Sequence, residues 1–309
     1  MTETDHSDRD VLVLGGGAAG LSAALLLARA RLRVTVIDGG QPRNAPAAHM
    51  HGFLTQDGLP PAELVEVGRA EVTRYGGELV DELVEAVRPG FRVRMADGSE
   101  LTAGRLLVTT GMRDELPEVP GVAERWGRDV VQCPYCHGYE VRDQPLGVLA
   151  TSPGSVHQAL LVRGWSDDVV LFEHTYRLAD TERAELTARG VRLVPGEVAE
   201  LVIGGDAVQG VRLTDGTTTE KCSAVFVTPK FVPSTGMADA LGCDTDERGF
   251  ITVDANGATS TPGVWAAGNV VNSRAQVIVA AGAGTAAAMA IHGDITKERT
   301  RLAVEAYRG

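Results

Sequence analysis

Cysteine is scarce in this chain, with four in 309 residues. That is too few for a structural disulfide framework, and two of the four, Cys133 and Cys136, stand as Cys-x-x-Cys, the spacing of metal or redox work. Cys222 and Cys243 stand alone and read as buried thiols. Lysine occurs only at positions 221, 230 and 297, so arginine carries nearly all the positive charge, a compositional bias more than a functional choice. The net charge is −12, which disfavours nucleic acid or anionic lipid as the main partner because either would be repelled. No basic and apolar leader opens the sequence: MTETDHSDRD is polar and acidic, so a cytoplasmic location is expected. The longest apolar stretch, Val277 to Ile291, is rich in Ala and Gly and falls short of the roughly 20 residues of a membrane span. The remaining totals, 44% hydrophobic and 23% charged, are those of a soluble globular protein with room for two domains.

Two similar units organise the chain. In the first, the apolar strand DVLVL runs into Gly15-Gly16-Gly17-Ala18-Ala19-Gly20 and a helix of Ala and Leu, and the strand VTVID ends at Asp38. Strand, glycine turn, helix, strand and acid together make a dinucleotide fold. Gly15 makes the tight turn, Gly17 lets amides approach a pyrophosphate, and Gly20 lets helix and strand pack closely. The helix start at Ala18 and Ala19 offers unpaired N–H groups and the positive dipole end to the phosphates. Asp38 can accept a hydrogen bond from a ribose hydroxyl. Helical periodicity from Pro61 to Tyr75 and short alternating strands through Val108, in the manner of a β-meander, complete the unit. About 135 positions later LGVLAT, SPGSVHQALLVRGW and DVVLFE echo the pattern. The class is α/β, with two Rossmann-like three-layer ββα domains. Pro-bearing crossings at MRDELPEVPG and TPKFVPSTG place the first domain at 1–114 and 238–309 and the inserted one at 115–237.

Cys133-Pro-Tyr-Cys136-His137 admits three other readings. Haem attachment needs export and a further ligand, zinc needs a second ligand pair, and an inert pair sits oddly beside a nucleotide motif, so no metal is expected. In a redox reading, a cysteine at a helix start gains thiolate character and His137 moves protons near neutral pH.

The glycine motif alone serves FAD and NAD equally. VLVLGGGAAGLSAA, the TTG at 109–111, CPYC and GVWAAGNVVNSRAQVIVAAGAG fall in the order and spacing of the low-molecular-weight thioredoxin reductases, and the chain resembles that family over nearly its whole length. The resemblance implies FAD in the discontinuous domain, with Thr109, Gly268 and Asn269 along it and Gln276 and Val277 at the flavin ring. The family usually has Asp where Asn269 stands. Arg43, Asn44 and His51, on the loop after the first unit, would lie along the cofactor, and Cys136 would face the flavin. It also implies a homodimer. The motif CPYCHG is similar to that of the dithiol oxidases that close disulfides in small natural products of the gliotoxin and holomycin type.

A thioredoxin reductase draws electrons from NADPH through a second glycine-rich turn and a basic cluster. Here the turn reads Ala150-Thr151-Ser152-Pro153-Gly154-Ser155, and Pro153 offers no amide donor. At the basic cluster stand Glu173, His174 and Arg177, and Glu173 would repel a 2′-phosphate. The NAD(P)H site therefore reads as degenerate. The expected flow runs from a small-molecule dithiol through Cys133 and Cys136 to FAD and then oxygen. Two other readings remain: a reductase serving a thioredoxin-like protein from NADH or another donor, and a flavin-bearing redox sensor without turnover.

Overall fold

The computed structural model describes residues 9–216 and 219–309. The chain opens with β1 (Arg9–Leu14), α1 (Ala18–Arg29) and β2 (Val34–Ile37), followed by α2 (Pro61–Arg74) and β3 (Glu78–Val80). The hairpin strands β4 (Val84–Arg88) and β5 (Arg92–Met95) lead to β6 (Glu100–Val108) and β7 (Met112–Glu115). Next come α3 (Val122–Arg125), β8 (Val130–Val131), α4 (Pro134–His137), β9 (Leu146–Leu149), α5 (Gly154–Val162), β10 (Val169–Phe172), α6 (Asp180–Ala188) and β11 (Arg192–Val194). Strands β12 (Val198–Gly204), β13 (Ala207–Leu213), β14 (Thr219–Lys221) and β15 (Ala224–Val227) follow. The last elements are β16 (Lys230–Pro233), α7 (Gly236–Leu241), β17 (Val264–Ala266) and α8 (Val277–Arg308). Contacts divide the chain into two compact units. One takes the segment up to Ala45, Pro61–Arg113 and Phe231–Gly309; the other takes Pro46–Pro60 and Asp114–Lys230.

In the first unit β3, β2, β1 and β6 lie side by side in parallel, with β17 parallel to the far end of β6 and the β4–β5 hairpin antiparallel to its start. A strand between two layers is apolar on both faces, and β1 shows why. Val11 and Val13 face Ala23, Ala24 and Leu27 of α1 and Ala287, Ala288 and Ile291 of α8. Leu12 and Leu14 point the other way, to Val87, Val93, Leu106 and Val264. Each such fully buried side chain contributes about 1.5–3 kcal/mol. Helices, sheet and meander are thus the three layers the sequence leads one to expect. Helix α8, 32 residues long with an apolar window of mean hydropathy 1.3, is by length and composition able to cross a membrane, a test that core helices also pass. Here it buries Ala280, Gly284, Ala287, Ala288, Ile291 and Ile295.

The second unit repeats the plan, with β11, β10, β9, β15 and β8 in parallel. Leu146 and Val148 face the helices with Val156, Ala159 and Leu186. Leu149 and Phe172 face the β12–β13–β14 meander through Val198, Val211 and Leu213. One charge lies inside this core. Arg125 is 6% exposed and binds both oxygens of Asp129 at 2.7 and 2.6 Å, and Asp206 at the β12–β13 turn at 2.8 Å. Asp129 in turn accepts the Val208 amide at 2.8 Å. Arg125→Ala would leave Asp129, itself little exposed, without its counter-ion. The expected loss is about 3 kcal/mol, seen as a lower urea midpoint, with Asp206→Asn costing far less because its carboxylate faces water.

Candidate functional site

The first unit builds a cradle at the start of α1. Gly15 has φ +110°, and a Cβ there would lie 2.5 Å from the Thr109 carbonyl oxygen. A Cβ on Gly20 would lie 1.9 Å from the Gly15 carbonyl oxygen, and one on Gly284 would lie 2.0 Å from that of Ala19. These glycines let α1 approach β1, β6 and α8. Gly17 differs: its φ is −77°, and a Cβ there would meet no atom within 4 Å. The protein does not need Gly17 for its own packing, and it borders open space. Its carbonyl accepts the first helical bond, from Leu21, so the amides of Ala18, Ala19 and Gly20 have no acceptor in the helix.

Other expected residues lie in the same unit. Thr109 is buried and donates from Oγ1 to the carbonyls of Leu14 and Gly15 at 3.1 and 2.8 Å. Asp38 follows β2, close enough to Gly16 that a Cβ there would lie 2.7 Å from its carboxyl carbon. Gly268, at φ +81°, lies between Ala19 and Ala280, which brings the start of α8, at Gln276 and Val277, towards that of α1. Asn269 donates from Nδ2 to the carbonyls of Asn272 and Ala275 at 2.9 and 3.1 Å. An aspartate cannot donate to either carbonyl, so the departure from the usual residue has a local reason. Arg43 stacks on Phe231 at 5.4 Å, and Asn44 follows it in the turn closed by the Ala45 amide and the Pro42 carbonyl. Free amides, two helix starts, an acid after β2 and an open face at Gly17 fit the pyrophosphate and ribose of FAD.

The second unit holds the redox pair. Cys133 and Cys136 form a disulfide around α4, with Pro134 at its first position, where a missing N–H costs nothing. The amides of Cys136 and His137 both donate to the Cys133 carbonyl, at 3.1 and 3.2 Å. Burial pushes the His137 imidazole below its ordinary pKa, with Glu140 acting in the opposite sense and His51 in the same one. Its Nδ1 is buried without a partner. Gly138 is required by sterics, since a Cβ there would lie 2.8 Å from the Trp165 ring. Tyr135, exposed between the cysteines, meets Trp165 edge to face with ring centroids 5.6 Å apart. His51 belongs to this unit, not to that of the α1 cradle. Both lone thiols are buried, and burial pushes the Cys222 pKa up to about 12. Among the described residues no cluster could hold a metal ion.

Spacing did not single out Gln158. It is buried on α5, donates to the Gln132 carbonyl next to Cys133 at 2.7 Å, and accepts from Thr228 Oγ1 at 3.0 Å. The turn before α5 is knitted into the same network. Ser155 Oγ accepts the Thr151 amide at 3.2 Å, and Thr151 Oγ1 donates to the Thr228 carbonyl at 3.1 Å. Where a phosphate cradle needs free amides, this turn spends Thr151 on its own side chain and has a proline at 153. Glu173 is engaged too, because Arg183 pairs with both of its oxygens. Its charge is therefore compensated, which weakens the expected repulsion of a 2′-phosphate and leaves no free acid for a ribose diol.

Comparison with known proteins places this geometry. The family described as pyridine nucleotide-disulphide oxidoreductase matches residues 9–284. The chain is similar to thioredoxin reductase tcpT of Claviceps purpurea, 32% identical over 84% of this chain and 86% of that protein. It is also similar to thioredoxin reductase sirT of Leptosphaeria maculans, 30% identical over 92% and 93%. The crystal structure of HlmI superimposes with a TM-score of 0.94, at 52% identity and 96% coverage of both chains.

Proposed function

Since the chain belongs to the pyridine nucleotide-disulphide oxidoreductase family, we propose that it oxidises a substrate dithiol to a disulfide, with oxygen as final acceptor. It is a thioredoxin reductase-like, FAD-dependent disulfide oxidoreductase with a Cys133–Cys136 pair. The observation that carries the direction is the turn before α5, where Ser155 Oγ takes the Thr151 amide and Pro153 has no amide to offer the phosphates of a nicotinamide cofactor. Helix α5, which follows that turn, steadies the redox loop through Gln158.

In the proposed cycle a substrate thiolate attacks the Cys133 sulfur, the Cys133–Cys136 bond breaks, and Cys136 leaves as thiolate. The substrate's second thiol loses its proton and attacks its own first sulfur, which closes the product disulfide and releases Cys133. His137 takes the thiol proton: with its pKa lowered by burial it is neutral near pH 7 and ready to act as a base. Bound FAD supplies the two-electron acceptor for the reduced pair and the route to oxygen. Its pyrophosphate would meet the amides at Ala18, Ala19 and Gly20, with Asp38 at the ribose and Gln276 and Val277 at the ring. A cytoplasmic homodimer acting on a small-molecule dithiol completes the proposal, with support from the family resemblance.

Oxygen uptake by the purified holoenzyme with a simple dithiol and no nicotinamide tests this. The expected result is equal molar amounts of oxygen consumed, peroxide formed and disulfide made. Uptake that starts only when NADPH or NADH is added would contradict it.

A further inference from the structure

Two carboxylates stand side by side at the edge of the α1 cradle, and the cofactor assignment uses only one of them. Strands β2 and β3 run parallel with Ile37 opposite Val80. Asp38 and Asp81, each the first residue past its strand, are therefore neighbours beyond the carboxyl ends of the sheet, where α/β folds bind their ligands. The Asp38 amide donates to the Val80 carbonyl at 3.0 Å, which pins the two strand ends together. Asp38 is little exposed, and Asp81 faces water. Two like charges this close repel each other, and both oppose a pyrophosphate at the start of α1.

Arg69 answers both charges. It lies on α2 one residue after Gly68, where a Cβ would lie 3.1 Å from Leu21 Cδ1 on α1, so its backbone is fixed where the two helices touch. Its Nη2 donates to Asp81 Oδ1 at 2.6 Å, and its Nη1 lies 3.9 Å from Asp38 Oδ2. The same Oδ2 packs on the glycine turn, since a Cβ on Gly16 would lie 2.7 Å from it. Asp38 is thus held between the Gly16 backbone and a guanidinium that is itself anchored from the far side. A partly exposed ion pair of this kind adds little to stability, so its use lies in what it does to Asp38.

We propose that Arg69 is a positioning residue for the adenosine half of FAD: braced on Asp81, it fixes the Asp38 carboxylate for the ribose hydroxyls and offsets its charge beside the pyrophosphate. This rests on the assignment of Asp38 to the ribose. Arg69 acts through Asp38 and needs no contact of its own with the cofactor.

Equilibrium dialysis of the full-length holoenzymes measures FAD retention with no turnover involved. Arg69→Met keeps the apolar stem and removes the charge. It should raise the FAD dissociation constant by about tenfold, with the urea midpoint close to that of wild type. Asp81→Asn loosens the brace while Arg69 stays in place, and should raise the constant by about threefold. ADP carries the ribose and pyrophosphate without the flavin. Its own dissociation constant, read from displacement of FAD, should rise by the same factors, which places the effect at the adenosine end. Asp38→Asn alone should weaken FAD by about tenfold. In that background the carboxylate that Arg69 holds is gone, so adding Arg69→Met should change the constant by less than about twofold. An equal loss in both backgrounds, or an unchanged constant in Arg69→Met alone, overturns the proposal. If Asp38→Asn leaves FAD and ADP bound as in wild type, the ribose assignment itself fails and the clamp falls with it.

Discussion

Cys133→Ser should lower dithiol-driven bleaching of the flavin by at least about a thousandfold, measured anaerobically by stopped flow. The serine keeps the shape of the side chain and the bond from the Cys136 amide to the residue 133 carbonyl. What it removes is the disulfide, the group that accepts the substrate's electrons. A serine hydroxyl cannot take part in thiol–disulfide exchange, so no mixed disulfide forms at position 133 and the product ring has no route to closure. Yellow colour should survive in the variant, because the residues assigned to the FAD pyrophosphate and ribose lie just after β1, β2 and β6 and at the start of α1, not on the redox loop. Bleaching at the wild-type rate would mean that dithiols reduce the flavin directly and that the pair is a bystander.

Gly20→Ala and Gly17→Ala should fail in different ways, and the contrast tests the cradle. At Gly20 a methyl group would overlap the Gly15 carbonyl oxygen at 1.9 Å and approach Thr109 Oγ1 at 2.8 Å. Neither can give way, since Gly15 already sits at φ +110° and Thr109 is bonded to Leu14 and Gly15. Helix α1 would have to retreat from β1, at a cost of about 3 kcal/mol, and the protein should be purified colourless with a lowered urea midpoint. At Gly17 a methyl group meets nothing within 4 Å, so stability without cofactor should stay within about 0.5 kcal/mol of wild type. Retention of FAD should nonetheless fall, because the methyl group occupies the space above the free amides. Full FAD retention in Gly17→Ala would mean that the cofactor does not approach this turn.

Much of this was legible before any coordinates. The first unit announces itself because an apolar strand gives way to a helical pattern at a glycine turn and because Asp38 closes the second strand. Those signals are local, each set by a few adjacent residues. The repeat of the plan in the second unit was readable for the same reason, as was the pairing of Cys133 with Cys136. Contacts between segments distant in sequence were not. No spacing says that Gln158 reaches back to the Gln132 carbonyl, that Arg183 neutralises Glu173, or that Arg125 is buried between Asp129 and the turn at Asp206. His51 was read as a cofactor contact from the family resemblance, in which its loop runs along the FAD. Its placement beside Glu140 depends on how residues 46–60 fold against the segment that carries the cysteines, and a linear pattern does not encode that. The sequence break at TPKFVPSTG and the unit boundary between Lys230 and Phe231 fall in one segment, since proline marks a crossing without fixing the residue at which contacts change hands.

The most direct test of the central claim is anaerobic reduction of the oxidised holoenzyme, followed at the visible flavin band, with a simple dithiol in one syringe and NADPH in another. Rapid bleaching by the dithiol, recovery of colour on admitting air, and no comparable bleaching by NADPH are the results this account requires. Rapid bleaching by NADPH with little response to dithiol would contradict it, and would make the turn before α5 a working nicotinamide site and the enzyme a reductase.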